Sequence, residues 1–129
     1  MSRLSRRRSA AVQRGAVTAE LAVGLPILLA VTAALTWLVA VAVGQVRAVD
    51  AARETARALA RGEDPAAAIA LGEAVAPDGV AITTAVSGQR IVVRASGRME
   101  GPGGFLGSLP GARLEAEAVA VPEPTGAGP

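Results

Sequence analysis

The stretch LAVGLPILLAVTAALTWLVAVAVGQV, from Leu21 to Val46, contains no charged side chain and decides the fold. As an α-helix it reaches about 39 Å, and the hydrocarbon core of a bilayer is about 30 Å thick. A chain of 129 residues offers too little protein to surround a helix that is apolar on every side. The stretch therefore predicts one transmembrane helix rather than the core helix of a soluble domain. Trp37 lies well inside it and is interpreted as a packing residue rather than an interface anchor.

The charges on the two sides of this stretch differ. The segment before Gly15 carries five arginines and no acid, although the formal net charge of the whole chain is only +2. The following arginines are Arg47, Arg53, Arg57 and Arg61, and they alternate with Asp50 and Glu54. Arginines near a span are retained on the cytoplasmic side, so a short basic leader predicts a cytoplasmic N-terminus and an outer C-terminus.

The N-terminal region has two other features that point to different interpretations. A basic segment, an apolar run and Ala40-Val41-Ala42 resemble a cleaved secretory signal, but the run exceeds the usual length of about 7 to 15 residues and Glu20 precedes it. An arginine tail can also bind nucleic acid. The acidic balance after Ala16 and the 2% aromatic content argue against a nucleic-acid partner.

The composition excludes several kinds of chemistry. The chain has no Cys and no His, which removes disulfides, zinc sites built on these residues and histidine-dependent catalysis. The glycine-rich segment at Gly101-Pro102-Gly103-Gly104 lacks the Lys of a phosphate-binding loop. Glu115 and Glu117 alternate on a predicted strand and are interpreted as solvent-facing. We therefore predict no catalytic residue, no metal, no cofactor and no enzymatic activity.

The junction between the leader and the apolar stretch reads Arg14-Gly15-Ala16-Val17-Thr18-Ala19-Glu20-Leu21. A carboxylate at the edge of a membrane span is costly when it enters hydrocarbon, so Glu20 needs a partner. Cleavage after Gly15 would give Ala16 a new α-amino group and make Glu20 the fifth residue. That amine is a suitable partner for the carboxylate of a neighbouring helix.

This junction resembles the processing site of type IV pilin-like proteins, in which a prepilin peptidase cleaves after Gly and a Glu occupies the fifth mature position. Together with Pro26 in the span and the helix Asp50-Ala51-Ala52-Arg53-Glu54-Thr55-Ala56-Arg57, it is similar to the TadE-like minor pilins, or pseudopilins, of the tight adherence (Tad/Flp) type IV pilus. The resemblance covers residues 14 to 75 well and the remainder only in outline.

The resemblance implies that Gly15 and Ala16 flank the cleaved bond and that Glu20 guides assembly by pairing with a neighbouring subunit. Pro26 cannot donate to the carbonyl of Ala22, so we expect a kink or loosened turn there. The implied partners are the membrane, the prepilin peptidase, other pilin-like subunits and the pilus assembly machinery, without nucleic acid. The implied location is the cell membrane, and after assembly an extracellular pilus.

Beyond the span, the pattern predicts an α+β outer domain. The first helix continues to Arg61 and stops at Gly62, and Asp64-Pro65 opens a second helix that runs to about Val75. Period-two alternation then predicts three antiparallel strands, Val80–Val86, Arg90–Ala95 and Leu114–Val121, with a turn at 87–89 and an exposed loop at 97–111. The predicted organisation is a leader at 1–15, a transmembrane and extended helix at 16–61, the outer domain at 62–121 and a flexible tail at 122–129.

The sequence therefore predicts a minor pilin that acts in assembly or priming of a Tad-type pilus. The alternative, from another class, is an uncleaved single-pass membrane protein whose outer domain binds a partner. Processing at Gly15 distinguishes the two.

Overall fold

A computed structural model describes residues 3–124, and their side chains from Arg8 onward except that of Phe105. The predicted tail at 122–129 therefore lies largely outside the described residues. The elements are a long helix, a short helix and a three-stranded antiparallel sheet, so the predicted α+β layout is confirmed. The chain divides into two compact units, Met1–Thr36 and Trp37–Pro129.

Helix α1 runs from Arg3 to Ala60. In the first unit it includes Pro26, and the residues on both sides of that proline are helical. Large apolar side chains in this part are exposed on all faces, as shown by Leu28 and Leu29 at 61% and 62% exposure. Nothing within the described part of this unit covers them.

Both helix caps that the sequence predicts are present. At the end of α1, Gly62 has φ +83°, the Gly62 amide donates to the Leu59 carbonyl, and the Glu63 amide donates to the Ala58 carbonyl. These two bonds are those of a Schellman motif. Helix α2 spans Pro65–Val75, and the Asp64 carboxylate accepts from the Ala67 amide at 3.3 Å.

The sheet contains β1 (Val80–Ser87), β2 (Arg90–Met99) and β3 (Ala112–Ala120), in the order β1-β2-β3. Gly88 and Gln89 form the two-residue turn between β1 and β2, and Gly88 has φ +61°. A positive φ at the first turn residue alone is the geometry of a type II′ hairpin, whose twist matches that of the strands.

Strand β2 extends further than predicted. Gly97, Arg98 and Met99 pair with β3, whereas the sequence indicated that a loop begins at Gly97. The reason is a close backbone approach: a Cβ on Gly97 would lie 2.6 Å from the Val80 Cα. Glycine therefore belongs to the strand here because the neighbouring strand leaves no room for a side chain.

The core of the second unit lies between one face of the sheet and the two helices. Helix α1 contributes small buried side chains, and the sheet contributes the larger ones. These residues are Ala48, Ala51, Ala52, Ala56, Ile82, Val93, Ala95, Leu114 and Ala116. Thr55 is also fully buried, and its hydroxyl donates to the Ala51 carbonyl at 3.0 Å. A Cβ on Gly72 would overlap Thr55 Oγ1, so α2 packs against α1 at this glycine.

Candidate processing and assembly site

The four residues singled out from the sequence all lie on α1. Gly15, Ala16, Glu20 and Pro26 are exposed, and a Cβ on Gly15 would meet no atom within 4 Å. Ala16 and Glu20 are four residues apart, so they lie on one helix face a turn apart. Pro26 lies beyond them on the same continuous helix. The structure thus leaves the Gly15–Ala16 bond and the Glu20 carboxylate accessible within the described unit.

A hydrogen bond spans the bond between Gly15 and Ala16. The Thr18 hydroxyl donates to the Arg14 carbonyl at 2.9 Å. Within the apolar stretch, the hydroxyls of Thr32 and Thr36 donate to the carbonyls four residues earlier at 2.8 and 2.9 Å. These bonds satisfy each hydroxyl inside the helix, which allows threonine to occur in an apolar environment.

The Glu20 side chain borders a shallow apolar groove of about 310 Å³ along the helix. We call it the Glu20 groove. It is lined by Val17, Glu20, Leu21, Gly24, Leu25 and Leu28. A depression of this kind accepts a ridge of side chains from another helix. The carboxylate therefore lies beside a surface on which an apolar helix can pack.

One helix in the described part of the chain, Arg8–Ala60, is long and apolar enough to cross a membrane. Only 6% of its most apolar 18-residue window is buried. The core helix of a soluble protein is mostly covered by its own chain, and this window of α1 is not. The coarser prediction, a single helix with the properties of a membrane span, is therefore confirmed.

The sequence did not reveal how α1 connects to the sheet. Gln45 Nε2 donates to the Glu115 carbonyl at 2.6 Å, and the Glu115 amide donates to Gln45 Oε1 at 3.4 Å. The Gln45 side chain thus forms with Glu115 the two hydrogen bonds that the backbone of a neighbouring strand would form at this edge of β3. No sequence pattern signals this role, because it depends on the placement of β3.

Glu115 and Glu117 are solvent-facing, as predicted, and share a partner that the sequence did not identify. Arg94 on β2 donates from Nη2 to Glu117 Oε2 at 2.8 Å, and its Nε lies 3.9 Å from Glu115 Oε1. The hydrogen bond with Glu117 raises the pKa of the Arg94 guanidinium above its usual value. All three side chains are exposed, so these ion pairs contribute little to stability.

A second groove opens in the unit that contains the sheet. It measures about 680 Å³ and is lined by Trp37, Arg47, residues 76–79 and residues 98–100. We call it the Trp37 groove. It combines an aromatic side chain of the apolar stretch with four charged residues, Arg47, Asp78, Arg98 and Glu100. No sequence pattern indicates that these residues border one groove.

The comparisons with known proteins add no relative. No model of a protein family matches the chain, and no curated protein or solved structure matches it.

Proposed function

We propose that this protein is a minor pilin-like subunit that acts in assembly or priming of a bacterial Tad-type type IV pilus. Helix α1 anchors it in the cell membrane, with the leader in the cytoplasm and the sheet domain outside. A prepilin peptidase removes residues 1–15, and other pilin-like subunits and the assembly machinery are its partners. The observation that carries the proposal is the accessible Gly15–Ala16 bond, followed at Glu20 by an uncovered apolar helix. The protein is not an enzyme in this proposal.

Cleavage changes the electrostatic position of Glu20. In the full chain Glu20 is more than four turns from the start of α1. After cleavage it is the fifth residue of the helix, close to the positive end of the helix dipole. A carboxylate near a helix N-terminus is stabilised by about 0.3–1 kcal/mol. Cleavage therefore has two effects on Glu20, whose carboxylate borders hydrocarbon. It creates an α-amino group that can pair with such a carboxylate, and it places the carboxylate near the positive end of a helix.

The local sequence supports access to the bond. A peptidase requires the helix to open around Gly15, and the Thr18 hydrogen bond to the Arg14 carbonyl has to break. Glycine inside a helix is less favourable than alanine by about 1 kcal/mol. Gly15 therefore lowers the cost of unwinding at the bond to be cut.

The Glu20 groove supports an assembly role. Its apolar lining fits a neighbouring helix, and its carboxylate is placed beside that helix. A neighbouring subunit that brings its Ala16 amine to Glu20 neutralises a charge that is otherwise costly in an apolar setting. The same pairing fixes the axial position of one subunit against the next.

The test is the N-terminal sequence of the protein purified from native membranes, determined by mass spectrometry with and without the prepilin peptidase. We expect a start at Ala16 that depends on the peptidase and is lost in Gly15→Val. Gly24→Val is the matched control and leaves processing unchanged. Glu20→Gln is expected to be cleaved but to fail in incorporation with other pilin-like subunits.

The uncleaved single-pass protein is the second candidate, and the continuity of α1 through the Gly15–Ala16 bond favours it. A start at Met1 in the presence of the peptidase would establish this candidate and overturn the first. A start near Val43 would indicate an ordinary secreted domain and overturn both.

A further inference from the structure

We propose that the outer face of the sheet, the face opposite the two helices, binds a phosphate monoester of a polyol. The phosphate lies between Arg98 and Arg113, and a hydroxyl group of the ligand lies on Glu115. All three residues belong to the unit that contains the sheet. The site therefore goes beyond the proposed pilin function and does not depend on it.

Arg98 and Arg113 are direct neighbours across two strands. Arg98 of β2 lies opposite Arg113 of β3. The Glu115 amide and carbonyl bond to the Gln45 side chain, so they point away from β2. Alternation along β3 gives Arg113 the same backbone orientation, so Arg98 and Arg113 form a non-hydrogen-bonded pair, in which side chains lie closest. Cβ atoms in directly opposite pairs are about 4.5–5.5 Å apart.

These two guanidinium groups have no acid to balance them. Neither Arg98 nor Arg113 makes an ion pair or a side-chain hydrogen bond with a described residue. Arg94 on the same face differs, because Glu117 accepts a hydrogen bond from its Nη2 at 2.8 Å. Like charges directly opposite each other in a sheet are destabilising. The arginine pair therefore favours an anion that the described part of the chain does not supply.

The Arg98 side chain lies against the backbone at Gly111. A Cβ on Gly111 would lie 3.2 Å from Arg98 Nε and 2.7 Å from the Met99 carbonyl oxygen. The glycine thus leaves room for the guanidinium beside the start of β3. A side chain that is already held in place loses less conformational freedom when a ligand binds.

The two arginines border a shallow depression of about 430 Å³. Its polar lining consists of Arg94, Ser96, Arg98, Arg113 and Glu115, so three arginines face one acid. The Ser96 hydroxyl makes no hydrogen bond with a described residue and can donate to an oxyanion. Small-molecule sites measure about 300–1,000 Å³, so the depression suits a phosphate that carries an organic group.

A phosphate monoester fits the charges of this depression. It carries a charge of about −1.5 to −2 at pH 7, which two guanidinium groups balance through paired hydrogen bonds. The Glu115 carboxylate repels a second anionic group and accepts hydrogen bonds from hydroxyls. Its Oε1 lies 3.9 Å from Arg94 Nε, too far for a hydrogen bond, and is open to a ligand. The site therefore selects a ligand with one phosphate and a neutral, hydroxylated remainder.

The test is a titration of the full, isotope-labelled chain with glycerol 3-phosphate in micelles of a non-ionic detergent, followed by amide chemical shifts. We expect saturable shifts at residues 96–98 and 113–115. Arg98→Gln/Arg113→Gln should bind at least about tenfold more weakly, because two charge-assisted contacts are lost. Arg53→Gln/Arg90→Gln removes the same charge elsewhere and should bind as the parent does. Equal weakening in both variants would show general charge attraction and overturn the site.

Unfolding by urea measures the repulsion within the arginine pair. In phosphate-free buffer, Arg98→Gln should unfold at a midpoint no lower than that of the parent, because a like-charge contact is removed. Saturating glycerol 3-phosphate should raise the midpoint of the parent and not that of Arg98→Gln/Arg113→Gln, since only a ligand of the folded state stabilises it. An unchanged midpoint of the parent would overturn the proposal.

Two further ligands separate the phosphate from the polyol. We expect glycerol 3-phosphate to bind several-fold more tightly than inorganic phosphate, and glycerol not to bind. Glu115→Ala should bind inorganic phosphate more tightly, because a repelling carboxylate is removed, but should lose the preference for the ester. Equal binding of inorganic phosphate and the ester by the parent would overturn the assignment of Glu115. Binding of glycerol as tightly as the ester would overturn the assignment of the phosphate.

Discussion

Helix α1 contains two stretches of similar length that differ in the exposure of their apolar side chains. Between Leu21 and Thr36 eight of the 16 residues are Leu, Val or Ile, and the leucines and valines are half to two-thirds exposed. Between Gly44 and Ala60 the buried side chains are alanines and Thr55, and Ala48, Ala51 and Ala52 are fully buried. The helix is continuous, so the difference lies entirely in the side chains.

The comparison shows that size distinguishes two apolar environments. Small residues allow a sheet and a second helix to approach α1 closely, as at Thr55 and Gly72. In the first stretch bulky residues lie on every face, so no single face is set apart to pack on a protein core. Such a helix is favoured where its surroundings are themselves apolar. The second stretch also carries charged residues, Arg47, Asp50, Arg53, Glu54 and Arg57, whereas the first carries none.

The largest expected effect is the difference between two leucine substitutions, one in each environment. Leu114, which packs on the alanine stretch, is 1% exposed, and Leu29 is 62% exposed. Leu114→Ala leaves a cavity and should cost about 2–5 kcal/mol in unfolding free energy of the sheet domain. Leu29→Ala should leave that free energy unchanged. Urea unfolding of the full chain in micelles, followed by circular dichroism, measures both, and equal losses would contradict the distinction.

A pair of glycines sharpens the comparison. Gly72→Ala should destabilise the sheet domain by about 1–3 kcal/mol, because the added carbon overlaps Thr55 and Ile82 and the helices must separate. Gly24 has no atom within 4 Å of a Cβ, so Gly24→Ala should cost nothing. Amide hydrogen exchange in β1 and α2 detects the difference. Unchanged protection in Gly72→Ala would show that the helix contact adjusts.

Gln45 marks the beginning of the alanine stretch, and its replacement tests the link to β3. Gln45→Ala removes both bonds to the Glu115 backbone and should cost about 1 kcal/mol. Gln13→Ala, on the exposed part of α1, is the control. Faster exchange of the Glu115 amide in Gln45→Ala only is the expected result, and equal exchange in both variants would contradict it.

The smallest effect is expected on the outer face of the sheet. Arg94→Gln removes the pairs to Glu115 and Glu117 and should lower the unfolding midpoint slightly, less so as salt is added. The pKa of Arg94 is raised, so its contribution is complete below the usual arginine pKa and disappears only as the pH rises through the raised value. The guanidinium therefore adds no pH dependence near neutrality. A midpoint unaffected by the substitution at low salt would refute the effect, and Arg90→Gln is the control.

Local signals were sufficient to predict the helix ends and the strands. Gly62 and Asp64 act through neighbouring backbone groups, so their roles follow from a few adjacent residues. The extension of β2 to Met99 and the contact at Gly72 depend on elements distant in the chain, and no local pattern encodes them. Gly15, Ala16, Glu20 and Pro26 were located by sequence alone, and their roles remain predictions. That Trp37 and residues 76–79 border one groove was not predictable, since it requires the fold.

The bonds at the two ends of the alanine stretch determine how the sheet domain responds to tension. Gln45 holds Glu115, and the Ala60 carbonyl accepts from the Glu123 amide at 3.1 Å, so α1 and the end of the chain run in the same direction. The helical interval is about 22 Å and the extended one about 26 Å, which keeps the two aligned. Tension applied between Trp37 and Pro124 loads this interface in shear. The contacts along it then resist together instead of separating one at a time from an end.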